Sequence, residues 1–121
     1  MTKRILVIED TEDNRQILRD LLTAAGFDLI EAVDGESGVA MAKAHTPDLH
    51  LMDIQLPVID GYEATRRIQA DPALAHIPVI AVTSYALSGD EEKTRAAGCN
   101  GYIAKPFSPR QLLSKVREFV G

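Results

Sequence analysis

The chain has 121 residues, 45% hydrophobic and 26% charged, a balance that suits one globular domain with one core. Thirteen Lys and Arg against eighteen Asp and Glu leave a formal charge of −5, with three Tyr, three Phe and no Trp. A nucleic-acid surface needs a basic patch and stacking aromatics, so direct nucleic-acid binding is not expected.

In chain order, "RILVIE" (4–9) predicts a strand hydrophobic on both faces. A helix follows, with Ile17, Leu18, Leu21 and Leu22 at helical spacing and Gly26 at its end. "FDLIEA" (27–32) is a more polar strand, expected nearer an edge. Asp34 caps a helix that runs to about His45, before Thr46-Pro47. "LHLMD" (49–53) is the third strand, and Asp60 with Glu63 resembles a capping box for "GYEATRRIQA". "IPVIAVT" (77–83) is the fourth and most apolar strand. Ser88 with Glu91 reads as another capping box, and Gly98 closes that helix. "GYIAK" (101–105) is the fifth strand. The last helix opens on Ser108, Pro109 and Gln111, and Leu112, Leu113, Val116 and Val120 supply its apolar stripe.

Strands that alternate with helices predict an α/β fold with right-handed crossovers and a parallel sheet covered on both faces. Burial on both sides explains inner strands that are apolar throughout. Ligands of such sheets sit beyond the C-terminal strand ends, where strand order reverses. Glu9 and Asp10 stand at the end of strand one, Asp53 at strand three, Thr83 and Ser84 at strand four, and Lys105 at strand five. These side chains are expected on one rim.

Asp53 is the odd residue in "DLHLMDIQLP", a carboxylate closing an apolar run. Such placement is costly without a partner or a task. Clustered carboxylates repel, and a hard divalent cation such as Mg²⁺ relieves that repulsion through oxygen ligands. Asp53 is therefore a candidate ligand, a candidate nucleophile, or both. A carboxylate attacks phosphorus productively when a cation, a hydroxyl and an ammonium meet the developing charge, and Mg²⁺, Thr83 and Lys105 are those groups. Each residue alone has a plainer reading. Glu9 and Asp10 would cap a helix, although Thr11 and Asp13 can do so instead; Asp53 would make a turn, Thr83 end a strand, and Lys105-Pro106 form a surface turn. It is their joint placement that carries the functional reading.

"LVIED", "LMDIQLPVIDGYE", "PVIAVTSYA" and "GYIAKPF", in this order and spacing, resemble the receiver domains of bacterial two-component response regulators from end to end. The resemblance extends to the short stand-alone receivers, the alphaproteobacterial cell-division type among them. It implies a doubly wound, flavodoxin-like (βα)5 fold with strand order 2-1-3-4-5. It implies that Asp53 accepts a phosphoryl group from a phosphohistidine of a sensor histidine kinase or histidine phosphotransferase. Glu9, Asp10, Asp53 and the backbone carbonyl of Gln55 would hold Mg²⁺ (or Mn²⁺), Glu9 partly through water. Thr83 would hydrogen-bond the phosphoryl group, Lys105 would pair with it, and Tyr102 matches the aromatic switch position. A cis peptide before Pro106 is implied as well. Thr11 stands where a third acidic or amide residue is common, and Gln55 and Tyr85 occupy positions that tune dephosphorylation.

Two rivals are weighed. A haloacid dehalogenase-like phosphatase needs an Asp two residues after its nucleophile, where this chain has Gln55, and a cap domain. A flavodoxin-type FMN protein needs a Ser/Thr/Gly-rich phosphate loop after strand one, where this chain has "EDTEDN". A signalling switch, not a turnover enzyme, is the expectation, with a downstream protein target and a monomer or weak dimer. Cys99 is the single cysteine, which suits a reducing cytoplasm. It reads as a small buried filler. No apolar run approaches the about 20 residues of a membrane span, and the N-terminus has no signal-peptide pattern. The start at Met1 and the end at Gly121 give the expectation of one stand-alone domain, 1–121, without an output domain. His45, His50 and His76 lack metal-ligand spacing; His45 reads as a helix end and the others as packing or surface. Arg66-Arg67 reads as a solvated helix face.

Overall fold

The computed structural model describes residues 2–84 and 90–120. Its elements alternate: β1 (Arg4–Ile8), α1 (Glu12–Ala24), β2 (Asp28–Ala32), α2 (Gly35–His45), β3 (Leu49–Asp53), α3 (Gly61–Gln69), β4 (Val79–Thr83), α4 (Asp90–Ala97), β5 (Gly101–Ala104) and α5 (Pro109–Val120). All pairings are parallel, and the strand order is β2-β1-β3-β4-β5. The polar strand β2 is indeed an edge, and β3 lies at the centre.

Side chains alternate along each strand, so the sheet feeds two cores. Leu6, Ile8, Met52, Val79 and Ala81 pack with α2 and α3 residues such as Ala42 and Ile68. Ile5, Val7, Leu51, Val82 and Ile103 pack with Leu18, Leu22, Leu112 and Val116 of α1 and α5. Each fully buried large aliphatic side chain contributes about 2 kcal/mol by leaving water. The register places Asp53 beside Val82 and Thr83 beside Ala104, so the strand ends are level at one rim.

Local signals act largely as the sequence predicts. Asp34 caps α2 in a reciprocal box with Ser37, and Ser108 and Gln111 form one for α5. Gly26 and Gly98 take φ of 93° and 106°, which lets the chain turn back after α1 and α4. Three expectations need adjustment, and one falls on residues outside those described. Asp60 accepts from the Glu63 amide at 2.9 Å, but the Glu63 carboxylate turns to Arg66 and Arg67, so the box is only half formed. Ile17 is 53% exposed, because its position on α1 rotates it away from the sheet face that Leu18 and Leu22 fill. β1 stops at Ile8, β4 begins at Val79 and β5 stops at Ala104, which leaves Glu9 and Lys105 just past their strands. Ser88 and Tyr85 lie outside the described residues.

Candidate functional site

Strand β1 delivers Glu9 into a nearly closed setting, 2% exposed. Its main-chain amide continues the sheet by donating to the Ala32 carbonyl at 3.0 Å. Its Oε2 accepts from the Thr11 amide at 3.2 Å. Its Oε1 accepts from Asn14 Nδ2 at 3.0 Å and from Lys105 Nζ at 3.1 Å. Glu9 therefore does not cap α1; it faces the rim.

Asp53 closes β3 and is 5% exposed. Its Oδ1 accepts from the Gln55 amide at 3.0 Å, which bends the chain out of the strand, while its Oδ2 lies 3.2 Å from Lys105 Nζ. The following loop is held close: Gly61 donates to the Ile54 carbonyl at 2.8 Å. A Cβ on Gly61 would collide with the Asp53 carbonyl oxygen and sit 2.6 Å from Ile54 Cα. Only glycine lets α3 begin this near the acid.

Lys105 follows β5, its amide donating to the Thr83 carbonyl at 2.7 Å, and its peptide bond to Pro106 is cis. Burial works against its charge, but Asp53 and Glu9 outweigh that and hold its ammonium above the ordinary lysine range. Asp10 is exposed beside Glu9. A shared hydrogen bond with the Glu9 side chain, then desolvation and like charge, raise its carboxyl above the ordinary range.

One ligand oxygen from each of Glu9, Asp10 and Asp53 can be chosen so that all lie within 4.8 Å of one another. Three carboxylates against one ammonium leave the rim short of positive charge. An all-oxygen donor set with two buried carboxylates fits a hard divalent cation and does not suit a soft one. Thr83 is buried at the end of β4, 1% exposed. Tyr102 is half-buried on β5 beside Ala81, on the same face as Thr83 and two residues before its partner Ala104. The Gln55 side chain is exposed, and its backbone amide is what reaches Asp53. A cleft of about 480 Å³ opens beside the acids, between α1 and the turn after β5, with Ile17, Leu18 and Phe107 on its apolar wall.

Sequence reasoning missed Asn14 and Arg15, the α1 residues whose side chains reach Glu9. An amide and a base that follow an acidic pair within one turn and a half were the available signal. His50 proves to be core: it is fully buried on β3, its Nδ1 donating to the Pro78 carbonyl at 3.2 Å. His45 ends α2 and His76 is exposed. Cys99 is buried, its Sγ 3.7 Å from Thr65 Oγ1, and burial pushes its thiol pKa up.

A parallel sheet in this order, with its acids gathered on the C-terminal rim, defines the receiver class of flavodoxin-like α/β proteins. Residues 5–117 match the response regulator receiver domain, and the chain belongs to that family. It is 44% identical over 121 residues to the polar-differentiation response regulator DivK of Brucella ovis, covering 100% of this chain and 98% of that protein. Its DivK relative from Brucella anthropi is 43% identical over the same span. Among solved structures, it is similar to the receiver domain of the sensor histidine kinase PA1611 from Pseudomonas aeruginosa PAO1 (37% identity, TM-score 0.93, 100% of this chain and 99% of that one), a structure described with a magnesium ion coordinated in the active site cleft. A putative response regulator from Chloroflexus aurantiacus aligns at TM-score 0.95 with 28% identity, over 99% of this chain and 98% of that one. Among the described residues, no helix is long and apolar enough to cross a membrane.

Proposed function

We propose that this receiver is a phosphoryl-accepting switch in which Asp53 takes the phosphoryl group from a phosphohistidine on a sensor histidine kinase or histidine phosphotransferase. One observation carries the reading: the buried Asp53 carboxylate lies 3.2 Å from Lys105 Nζ and shares a cluster with Glu9 and Asp10. A carboxylate oxygen of Asp53 forms the new bond to phosphorus as the phosphorus–nitrogen bond to imidazole breaks. Lys105 is placed to neutralise the transferred oxyanion, and Thr83 is the hydroxyl assigned to hydrogen-bond it. Glu9, Asp10, Asp53 and the Gln55 carbonyl are the residues that would hold Mg²⁺ (or Mn²⁺). When bound, that cation supplies charge neutralisation for the phosphoryl oxygens. The donor chemistry of the cluster and the magnesium described for the PA1611 receiver support this choice.

Tyr102, on the face it shares with Thr83, is the residue assigned to report the change to a downstream protein target. Its turning inward as Thr83 engages the phosphoryl group would reshape the surface of α4, β5 and α5. The protein acts in the cytoplasm as a single domain, a monomer or weak dimer, and its phosphoryl chemistry is on itself rather than on an external substrate. Acetyl phosphate with Mg²⁺ is expected to add one acid-stable, base-labile phosphoryl group to the native chain and none to Asp53→Asn. Full labelling of Asp53→Asn, read by intact mass, would refute the assignment.

A further inference from the structure

Glu9 is anchored from α1 at both its carboxylate and its main chain. Asn14 Nδ2 holds Oε1 at 3.0 Å, and Arg15 Nη1 donates to the Glu9 carbonyl oxygen at 2.8 Å. Arg15 is no solvated surface charge, since its side chain is only 12% exposed. Its Nη2 lies 2.5 Å from Glu12 Oε2, and its Nε lies 3.5 Å from Glu31 Oε1 on β2. Arg19 grips the same Glu31 in a fork, with Nε and Nη2 each donating at 2.7 Å. The loop between β1 and α1 is thereby fastened to the helix it starts and to the edge strand beside it.

The contacts of Arg15 run to the Glu9 main chain, Glu12 and Glu31, not to the carboxylates of the rim. A guanidinium acting only as counter-charge would be expected on those rim carboxylates. We propose that Asn14 and Arg15 are positioning residues of the cation site. They fix the carboxylate and the carbonyl of Glu9, so that a cation meets an ordered ligand without first having to order the loop. The inference rests on reading Glu9, Asp10 and Asp53 as the Mg²⁺ ligands.

The sign of the effect separates positioning from charge. Arg15→Gln removes a positive charge near three carboxylates, so Coulomb's law alone would tighten Mg²⁺ binding. Loss of positioning weakens it, and groups that orient metal ligands typically account for about 10–100-fold in affinity. Mg²⁺ titration by calorimetry, run well below each variant's melting temperature, is therefore expected to show Arg15→Gln and Asn14→Ala weakened about ten-fold or more. Arg15→Lys keeps the charge but cannot span three partners, and it is expected to be weakened as well. Arg66→Gln, on the exposed face of α3, serves as the control and should bind like the native chain. Melting in EDTA reports folding separately; a merely structural role would lower the melting temperature and leave the affinity alone. Should Arg15→Gln fail to fold, Arg15→Lys and Asn14→Ala carry the same comparison. Unchanged or tighter binding in the folded variants overturns the positioning role. A native chain that takes up no Mg²⁺ overturns the cation-site reading itself, a different failure from the first.

Discussion

His50 shows what one buried ring does to stability. It is fully enclosed, its Nδ1 engaged with the Pro78 carbonyl, and its Nε2 has no partner among the described residues. Burial lowers its pKa from 6.5 to about 4, against the smaller opposing effect of the Pro78 carbonyl. The folded state keeps the ring neutral down to about pH 4, whereas the unfolded chain protonates it below about 6.5. Protons thus favour the unfolded state in that window. The stability is whole above pH 6.5 and falls as the pH drops toward 4, by up to about 3 kcal/mol. Urea unfolding from pH 7 to pH 4 is expected to show this slope flattened in His50→Leu; an equal slope in both proteins would assign the protons elsewhere. The sequence marked His50 only as packing or surface, because a single polar residue in a strand does not say which neighbours enclose it. Asp53 was legible for the opposite reason: a carboxylate that closes a largely apolar strand points to the rim where that strand ends.

At the scale of elements, α3 is set by a contact a side chain would spoil. The Gly61 position has no room for a Cβ between the Asp53 carbonyl and Ile54. Gly61→Ala must push α3 outward or drag the end of β3 with it, and overpacking of this kind costs about 1–3 kcal/mol. The variant is expected to melt lower and to accept phosphoryl groups from acetyl phosphate more slowly, because the strain falls on the Asp53 backbone. Melting like the native chain would mean the loop yields freely. The alternation of strands and helices was plain in the sequence, since apolar runs and capping residues mark each boundary. Other features were not. Val58 sits at φ 73° and is 72% exposed, a conformation that β-branched residues rarely adopt and that its identity does not announce. The bonds from Asn14 and Arg15 back to Glu9 depend on how α1 leaves the sheet, which periodicity does not specify.

For the whole molecule, the acidic rim is a place where folding works against charge repulsion. Asp10 has its carboxyl raised above 3.8, first by the hydrogen bond shared with Glu9 and then by desolvation and like charge. The native state therefore holds that proton more tightly than the unfolded chain, and stability declines as the pH rises through the raised pKa. Asp10→Asn should raise the melting temperature in EDTA at neutral pH. Mg²⁺ should raise it in the native chain by mass action, by roughly 2.7 kcal/mol at one hundred times the dissociation constant, or about 10 °C. In Asp10→Asn the same Mg²⁺ should raise it far less. Calorimetric scans with and without metal decide both points, and a native melting temperature indifferent to saturating Mg²⁺ would contradict the cluster. Chain length and charge gave the expectation of a globular domain without a basic surface, but net charge could not say that the repulsion is concentrated on one rim.

Lys105 reaches from beyond β5 to carboxylates that belong to β1 and β3, on the far side of β4. It acts as a tethered ion, an electrolyte that cannot diffuse away. A divalent cation held by Glu9 and Asp53 would share those oxygens with it, so the grip on metal would be a difference between two cations' claims. A phosphoryl group on Asp53, as proposed, would bring a further anion within reach of that ammonium. The tether keeps one positive charge at the rim whatever else binds there.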